Sequence, residues 1–126
     1  MTTTTPHLRI WQQNLNKSRT AAFNMANLPL HQDWDIICIQ EQYTNGFDAI
    51  ITNRKWTPVY PDLWSRDKKA SRSLILVNAS IDTNTWRPLV VPGTNDITAI
   101  QISTDAGEVT IFNIYYDGTK DDTMAL

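Results

Sequence analysis

Apolar positions along the chain fall into short runs and alternations that are typical of β-strands. Four consecutive apolar residues within positions 35–40 predict an interior strand that is buried on both faces. Other segments predict further strands by the same pattern. These segments are residues 8–11, 56–60, 73–78, 86–91, 96–103 and 108–115. Pro58 places the 56–60 strand at a sheet edge, because proline cannot donate a hydrogen bond to a ladder.

One segment has helical rather than strand periodicity. Apolar residues recur at positions 21, 22, 25, 26 and 28, and Pro29 ends the pattern. Ser18 is the predicted N-cap, since its hydroxyl can accept a backbone N–H of the first turn. Residues 104–107 predict a hairpin turn, residues 44–46 a further turn, and the polar residues 61–70 an exposed loop.

The order of these elements is strand, helix, strand, then mostly strands. This order predicts an α/β sandwich with a mainly antiparallel, mixed sheet rather than a regular parallel repeat. The length of 126 residues suits a single domain. We expect residues 1–7 to be a flexible leader and residues 8–126 to be the amino-terminal part of one domain. Only one well-marked helix is predicted to cover the sheet, so we expect the carboxyl-terminal half of the sandwich to be missing.

Composition and charge narrow the possible functions only slightly. The net charge of −2 is not the basic footprint of a typical nucleic-acid-binding protein. An enzyme that meets phosphate through a divalent cation remains possible, because the ion supplies local positive charge. The single cysteine, Cys38, lies in the apolar run and is expected to be a core residue. The sequence shows no signal peptide and no apolar run of membrane-spanning length, so we expect an intracellular protein without a membrane partner.

Polar side chains follow three of the predicted strands at the point where each strand ends. Asn14 and Asn16 follow the first strand, Glu41 follows the buried strand, and Asn113 and Tyr115 close the last one. Ligands of α/β proteins collect beyond the carboxyl ends of strands, and Mg²⁺ prefers oxygen ligands with one or two carboxylates. Each residue also has an ordinary structural interpretation: a solvated glutamate, asparagines in caps and turns, and a packed tyrosine.

A family resemblance favours the functional interpretation. Residues 10–18 (Ile-Trp-Gln-Gln-Asn-Leu-Asn-Lys-Ser), 35–41 (Asp-Ile-Ile-Cys-Ile-Gln-Glu) and 112–115 (Phe-Asn-Ile-Tyr) resemble motifs of the endonuclease/exonuclease/phosphatase superfamily. The pattern is most similar to the apurinic-type endonuclease domain of non-LTR (LINE-type) retrotransposons, and residues 72–77 look like the fungal versions. The resemblance extends from residue 8 to about residue 120.

The resemblance implies a Mg²⁺-dependent phosphodiesterase, with Mn²⁺ as an alternative ion. Glu41 would bind the metal, Asn14 would orient that carboxylate or bind the metal through water, and Asn16 would be a further metal-site residue. Tyr115 would contact the scissile phosphate. The resemblance implies that the substrate is the DNA phosphodiester backbone and that the partner is a downstream reverse transcriptase. It also implies a nuclear location.

The resemblance also shows which parts of the family's machinery the chain lacks. The later Asp-x-Asn and Asp-His motifs are absent: both histidines precede Glu41, and Asp121 and Asp122 follow Tyr115 too closely. Whether the chain is an enzyme therefore stays open at this point. Three functions remain: a DNA-nicking domain or its leading half, a non-catalytic retroelement remnant or interaction fragment, and a phosphatase or RNA-processing relative.

Overall fold

The structure is a computed structural model, and it describes residues 7–41, 54–65 and 72–116. These residues contain seven strands and one α-helix. The strands are β1 (Ile10–Asn14), β2 (Ile36–Gln40), β3 (Trp56–Val59), β4 (Ser73–Asn78), β5 (Trp86–Leu89), β6 (Ile97–Thr104) and β7 (Gly107–Ile114). The helix α1 is Arg19–Asn27, and two short 3₁₀ helices are Leu30–Gln32 and Asp62–Ser65. The predicted mixed α/β class is confirmed.

The strands form two sheets. The first sheet has the order β1-β2-β4-β3 and the second has the order β5-β6-β7. In the described ranges β1 and β2 are the one parallel pair, and the other neighbours are antiparallel. Antiparallel pairing puts Ser73, at the start of β4, opposite Gln40, and Ile97, at the start of β6, opposite Ile114. The carboxyl ends of β2 and β7 therefore lie beside the amino ends of β4 and β6.

The core has two layers, because alternate side chains of a strand point to opposite faces of its sheet. Ile37 and Ile39 of β2 pack on the side of α1, whereas Ile36 and Cys38 pack toward the second sheet. The layer on the α1 side consists of Leu15, Ala22, Met25, Ile37, Ile39, Trp56, Leu74 and Leu76. The layer between the sheets consists of Ile36, Cys38, Val59, Ile75, Val77, Ile100 and Ile102. Burial on both faces explains the unbroken apolar runs of β2 and β4.

The helix α1 begins and ends where the sequence predicts. The Ser18 hydroxyl accepts the Ala21 N–H at 3.1 Å, which confirms the predicted N-cap. The Leu28 N–H donates to the Met25 carbonyl at 3.3 Å and closes the last turn before Pro29. No helix in the described ranges is long and apolar enough to cross a membrane.

Several predicted strands are confirmed at or near their predicted bounds. Ser73–Asn78 forms β4 as predicted, and β3 lies at the edge of its sheet, as Pro58 indicates. Residues 104–107 form the hairpin between β6 and β7, in which Gly107 takes a φ of +114°, a conformation that side chains rarely adopt.

The prediction for the first strand is wrong at both ends. The hydrophobic pattern indicates residues 8–11, whereas β1 runs from Ile10 to Asn14. Its polar second half pairs with the buried β2, Gln12 opposite Cys38 and Asn14 opposite Gln40. Backbone pairing with an interior strand therefore extends β1 through residues whose side chains are polar.

The exposed loop predicted for residues 61–70 is partly wrong, since Asp62–Ser65 forms a 3₁₀ helix. Residues 66–70 lie outside the described residues, as do residues 1–6 of the predicted leader and the turn at 44–46. The division into a leader and a domain stays a prediction.

The Asn113 side chain joins the two sheets at the end where β2 and β7 finish. It is buried, and its Nδ2 donates to the carbonyls of Ile39 and Leu74 at 2.9 Å each. Its Oδ1 accepts the side-chain amide of Gln40, and its backbone carbonyl accepts the Ser73 hydroxyl at 2.7 Å. One residue of β7 therefore holds both central strands of the opposite sheet.

We predict that Asn113→Asp destabilises the fold by about 3 kcal/mol or more, because a buried carboxylate cannot donate to the Ile39 and Leu74 carbonyls. Urea unfolding measures the loss. Asn24→Asp, on the exposed surface of α1, is the matched control and should change the free energy of unfolding by less than about 0.5 kcal/mol. Equal effects of the two substitutions would contradict the assignment of Asn113 as the link between the sheets.

Cys38 packs in the layer between the sheets, which confirms it as a core residue. Burial raises the pKa of its thiol to about 11, because an apolar surrounding disfavours the charged thiolate. The thiol is therefore protonated at neutral pH and a poor nucleophile there.

The raised pKa predicts a fall in stability at alkaline pH. Between about pH 9 and pH 11 the unfolded thiol loses its proton while the folded one keeps it, so the free energy of unfolding falls as pH rises. The slope from this group is at most about 1.4 kcal/mol per pH unit. Urea unfolding of the chain and of Cys38→Ala across this range measures it, and parallel pH profiles would contradict the prediction.

Candidate active site at the carboxyl ends of β1, β2 and β7

Three of the predicted site residues stand at one end of the sandwich. Asn14 is the last residue of β1, Glu41 directly follows β2, and Tyr115 directly follows β7. The Glu41 N–H donates to the Arg72 carbonyl at 2.9 Å, and the Tyr115 N–H donates to the Asp96 carbonyl at 2.8 Å. The residues that precede β4 and β6 therefore hold the backbones of Glu41 and Tyr115 just beyond the sheets.

Glu41 and Tyr115 are in direct contact, although 74 residues separate them in sequence. The Tyr115 hydroxyl donates to Oε1 of Glu41 at 3.1 Å, and both side chains are partly exposed. A carboxylate has about four acceptor positions, so this bond leaves Glu41 able to accept further donors or to ligate a cation. The two residues that the sequence picks from distant strands thus form one polar pair.

The loop after β1 lies against the same end of β2. Its Lys17 N–H donates to the Glu41 carbonyl at 2.7 Å, and Asn16 and Lys17 both take left-handed conformations, with φ of +52° and +56°. The Asn16 N–H donates to Oδ1 of Asn14 at 2.8 Å, which fixes the Asn14 amide. The structure therefore ties Asn14 and Asn16 to each other and their loop to Glu41. Asn16 itself is exposed.

A groove of about 590 Å³ runs between β1, β2 and β7 beside this end of the sandwich. Asn14 and Tyr115 line it together with side chains from all three strands. The full lining is Ile10, Gln12, Asn14, Cys38, Gln40, Ile111, Phe112, Asn113, Ile114, Tyr115 and Tyr116. The side-chain amides of Gln12, Gln40 and Asn113 form a hydrogen-bonded row in which each donates to the next. The groove therefore offers an extended ligand both apolar and polar contacts, whereas the Glu41 side chain does not line it.

Two charged residues of this region were not predicted as functional. Arg72 donates from Nε and Nη2 to the two carboxylate oxygens of Asp96, at 3.0 and 2.9 Å. Its guanidinium carbon also lies 4.8 Å from the ring centroid of Tyr115. Their position in the sequence is the signal that could have identified them. Arg72 directly precedes β4, whose start pairs with the end of β2, and Asp96 directly precedes β6, whose start pairs with the end of β7.

Glu41 has a backbone conformation that is unfavourable for its residue type. Its φ is +52°, in the left-handed region, where a residue with a Cβ atom costs roughly 1–2 kcal/mol. Unfavourable conformations of this kind persist where surrounding contacts impose them, and they cluster at functional sites. Here the backbone bonds of Glu41 to Arg72 and Lys17 impose it.

The donor chemistry at this end fits a hard divalent cation. Glu41 supplies one carboxylate and Asn14 an amide oxygen, and Mg²⁺ usually keeps several waters while taking one or two carboxylates. Within the described ranges, no group of three or more His, Cys, Asp and Glu side chains is placed to hold a metal ion. The described residues therefore do not form a closed metal cage, and Glu41 and Asn14 are the ones whose oxygen atoms could hold such an ion together with water.

The arrangement of sheets and helix is that of a partial DNase-like α/β sandwich. The chain is similar in structure to the endonuclease domain of TRAS1, a telomere-specific non-LTR retrotransposon, with a TM-score of 0.67 and 23% identity. The match covers 94% of this chain and 51% of that one, so the chain spans about half the length of that structure. The resemblance drawn from the sequence is thus confirmed for the fold.

Comparisons at the level of sequence add no further relative. No family model matches the chain, and no curated protein matches it.

The strained backbone of Glu41 gives a prediction that does not depend on any ligand. Glu41→Gly and Glu41→Ala both remove the carboxylate, but only glycine adopts a φ of +52° at little cost. We expect Glu41→Gly to be more stable than Glu41→Ala by about 1 kcal/mol in urea unfolding. The reverse order would contradict the left-handed conformation.

Proposed function

We propose that this chain carries the amino-terminal half of a Mg²⁺-dependent phosphodiesterase domain that acts on the DNA backbone. The observation that carries the proposal is the contact between Glu41 and Tyr115 at the end of the sandwich, in a fold similar to that of an endonuclease domain. Asn14, at the end of the neighbouring strand β1, supports it, because a carboxylate and an amide oxygen are ligands that Mg²⁺ accepts.

Each site residue has a distinct role in this proposal. Glu41 would hold the cation, and a bound cation would supply positive charge against the negative charge that develops on the phosphate. Asn14 orients that carboxylate or reaches the ion through water, and Asn16 fixes the Asn14 amide through its backbone N–H. The Tyr115 hydroxyl, already a donor to Glu41, is placed to donate to a phosphate oxygen. Mn²⁺ could take the place of Mg²⁺ on the same ligands.

A base that activates water is not assigned to any described residue, and the chain spans about half of the structure it matches. Catalytic groups that act as a unit lose most of the rate when one is missing. We therefore propose that the groups shown here bind metal and phosphate, and that full nicking activity needs groups from outside the chain. We also propose that the partner of this domain is a downstream reverse transcriptase and that the protein acts in the nucleus.

The second candidate is a non-catalytic fragment that keeps the fold and its groove. The mixed lining of the groove favours it, since exposed apolar side chains on β7, such as those of Phe112 and Ile114, suit a binding surface as well as a substrate channel. The two candidates differ in their response to metal, because only the first requires Glu41 to bind a cation.

We predict that Mg²⁺ raises the thermal unfolding midpoint of the purified chain, because a ligand that binds the folded state stabilises it by mass action. Glu41→Gln, which removes the charge and keeps the size, should abolish the rise. Glu108→Gln is the matched control, since Glu108 is an exposed glutamate at the start of β7, next to the hairpin turn. A Mg²⁺ response that survives Glu41→Gln, or none in the unmutated chain, would exclude the proposed metal site.

We further predict that the chain by itself nicks supercoiled plasmid very poorly in Mg²⁺, because its site lacks an assigned base. Agarose electrophoresis of the relaxed product measures this activity. Robust nicking that Glu41→Gln abolishes would show that the groups of this chain are sufficient. This result would contradict the proposal that nicking activity needs groups from outside the chain.

A further inference from the structure

The guanidinium of Arg72 lies between Asp96 and the ring of Tyr115. Two of its nitrogens donate to the two oxygens of the Asp96 carboxylate, at 3.0 and 2.9 Å, and this fork fixes the plane of the group. Its carbon stands 4.8 Å from the centroid of the Tyr115 ring, within the range of a cation–π contact. The ring therefore rests on a charged plane that another residue holds in place.

The residues of this ion pair also hold the backbones of the candidate site. The Arg72 carbonyl accepts the Glu41 N–H at 2.9 Å, and the Asp96 carbonyl accepts the Tyr115 N–H at 2.8 Å. Asp96 is itself buried, with 7% of its surface exposed, and its N–H donates to Oγ1 of Thr94 at 3.0 Å. The ion pair thus contacts both members of the Glu41–Tyr115 pair, through main chain and side chain.

We propose that Arg72 is a positioning residue that holds the Tyr115 phenol against Glu41, and that Asp96 orients Arg72 for this role. The importance of this positioning for catalysis rests on the function proposed above. Because Asp96 balances the charge of Arg72, the main contribution of the guanidinium here is its flat, fixed surface. Lysine has the same charge without a planar fork, so it cannot replace Arg72 in this arrangement.

The experiment places 3-fluorotyrosine at position 115 and records its ¹⁹F resonance in the unmutated chain, in Arg72→Lys and in Arg9→Lys. Arg9→Lys is the matched control, since Arg9 forms a similar fork with Asp35 at the opposite end of β2. We expect one well-defined resonance in the unmutated chain and in Arg9→Lys, and a displaced, broadened resonance in Arg72→Lys. Far-UV circular dichroism and cooperative unfolding confirm that each variant is folded.

A resonance in Arg72→Lys that matches that of Arg9→Lys in shift and width would overturn the proposal, because a ring that loses the group holding it must change its environment and its mobility. If Arg72→Lys does not fold, Asp96→Asn makes the same comparison, since it keeps the guanidinium and removes its charged partner. The same resonances are then followed during a Mg²⁺ titration. We expect the half-saturating Mg²⁺ concentration to rise several-fold in Arg72→Lys and to stay unchanged in Arg9→Lys.

The two readouts separate the failure of this proposal from the failure of the proposed function. A missing Mg²⁺ response in the unmutated chain would contradict the metal site, whereas the metal-free spectra would still show whether Arg72 positions Tyr115. A normal Mg²⁺ response with no effect of Arg72→Lys on either readout would keep the metal site and overturn the role of Arg72.

Discussion

The structure depends most on the amide of Asn113, which crosses from one sheet to the other. A sandwich held by apolar packing alone permits its sheets to slide, because the hydrophobic effect is not directional. The two donors of Asn113 reach carbonyls on the adjacent strands β2 and β4, so the relative placement of the sheets is fixed at that end. The candidate site stands one residue beyond Gln40 in β2 and two residues beyond Asn113 along the chain.

This placement explains how a small site is assembled from distant segments. Glu41 comes from the four-stranded sheet and Tyr115 from the three-stranded one, so their 3.1 Å contact requires the sheets to be in register. Arg72 and Asp96 precede strands of different sheets as well, and their ion pair adds a second bridge beside the first. Apolar layers supply the stability of the sandwich, and polar bridges at one end set its geometry.

Much of this was predictable from local patterns, and the rest depended on pairing. The runs of β2 and β4 and the Ser18 cap are visible because each obeys a local rule. The polar end of β1 was missed, since Gln12–Asn14 becomes a strand only by bonding to β2. Glu41 and Tyr115 were predicted as site residues from their position after strands and from the resemblance, and the structure shows that they are in contact. Arg72 was not predicted as a site residue, because antiparallel pairing of distant segments brings it beside Glu41 and Tyr115.

The separation of 74 residues between Glu41 and Tyr115 has a consequence for the order of folding. Contacts between residues so far apart in sequence close long loops and tend to form late. The bonds of Asn113 to Ile39 and Leu74 span 74 and 39 residues and carry the same cost. A partly folded chain in which β7 has not docked would hold Glu41 without Tyr115. The polar pair therefore exists only once β7, the last described strand, has docked beside β2, and its presence reports that these two strands are in place.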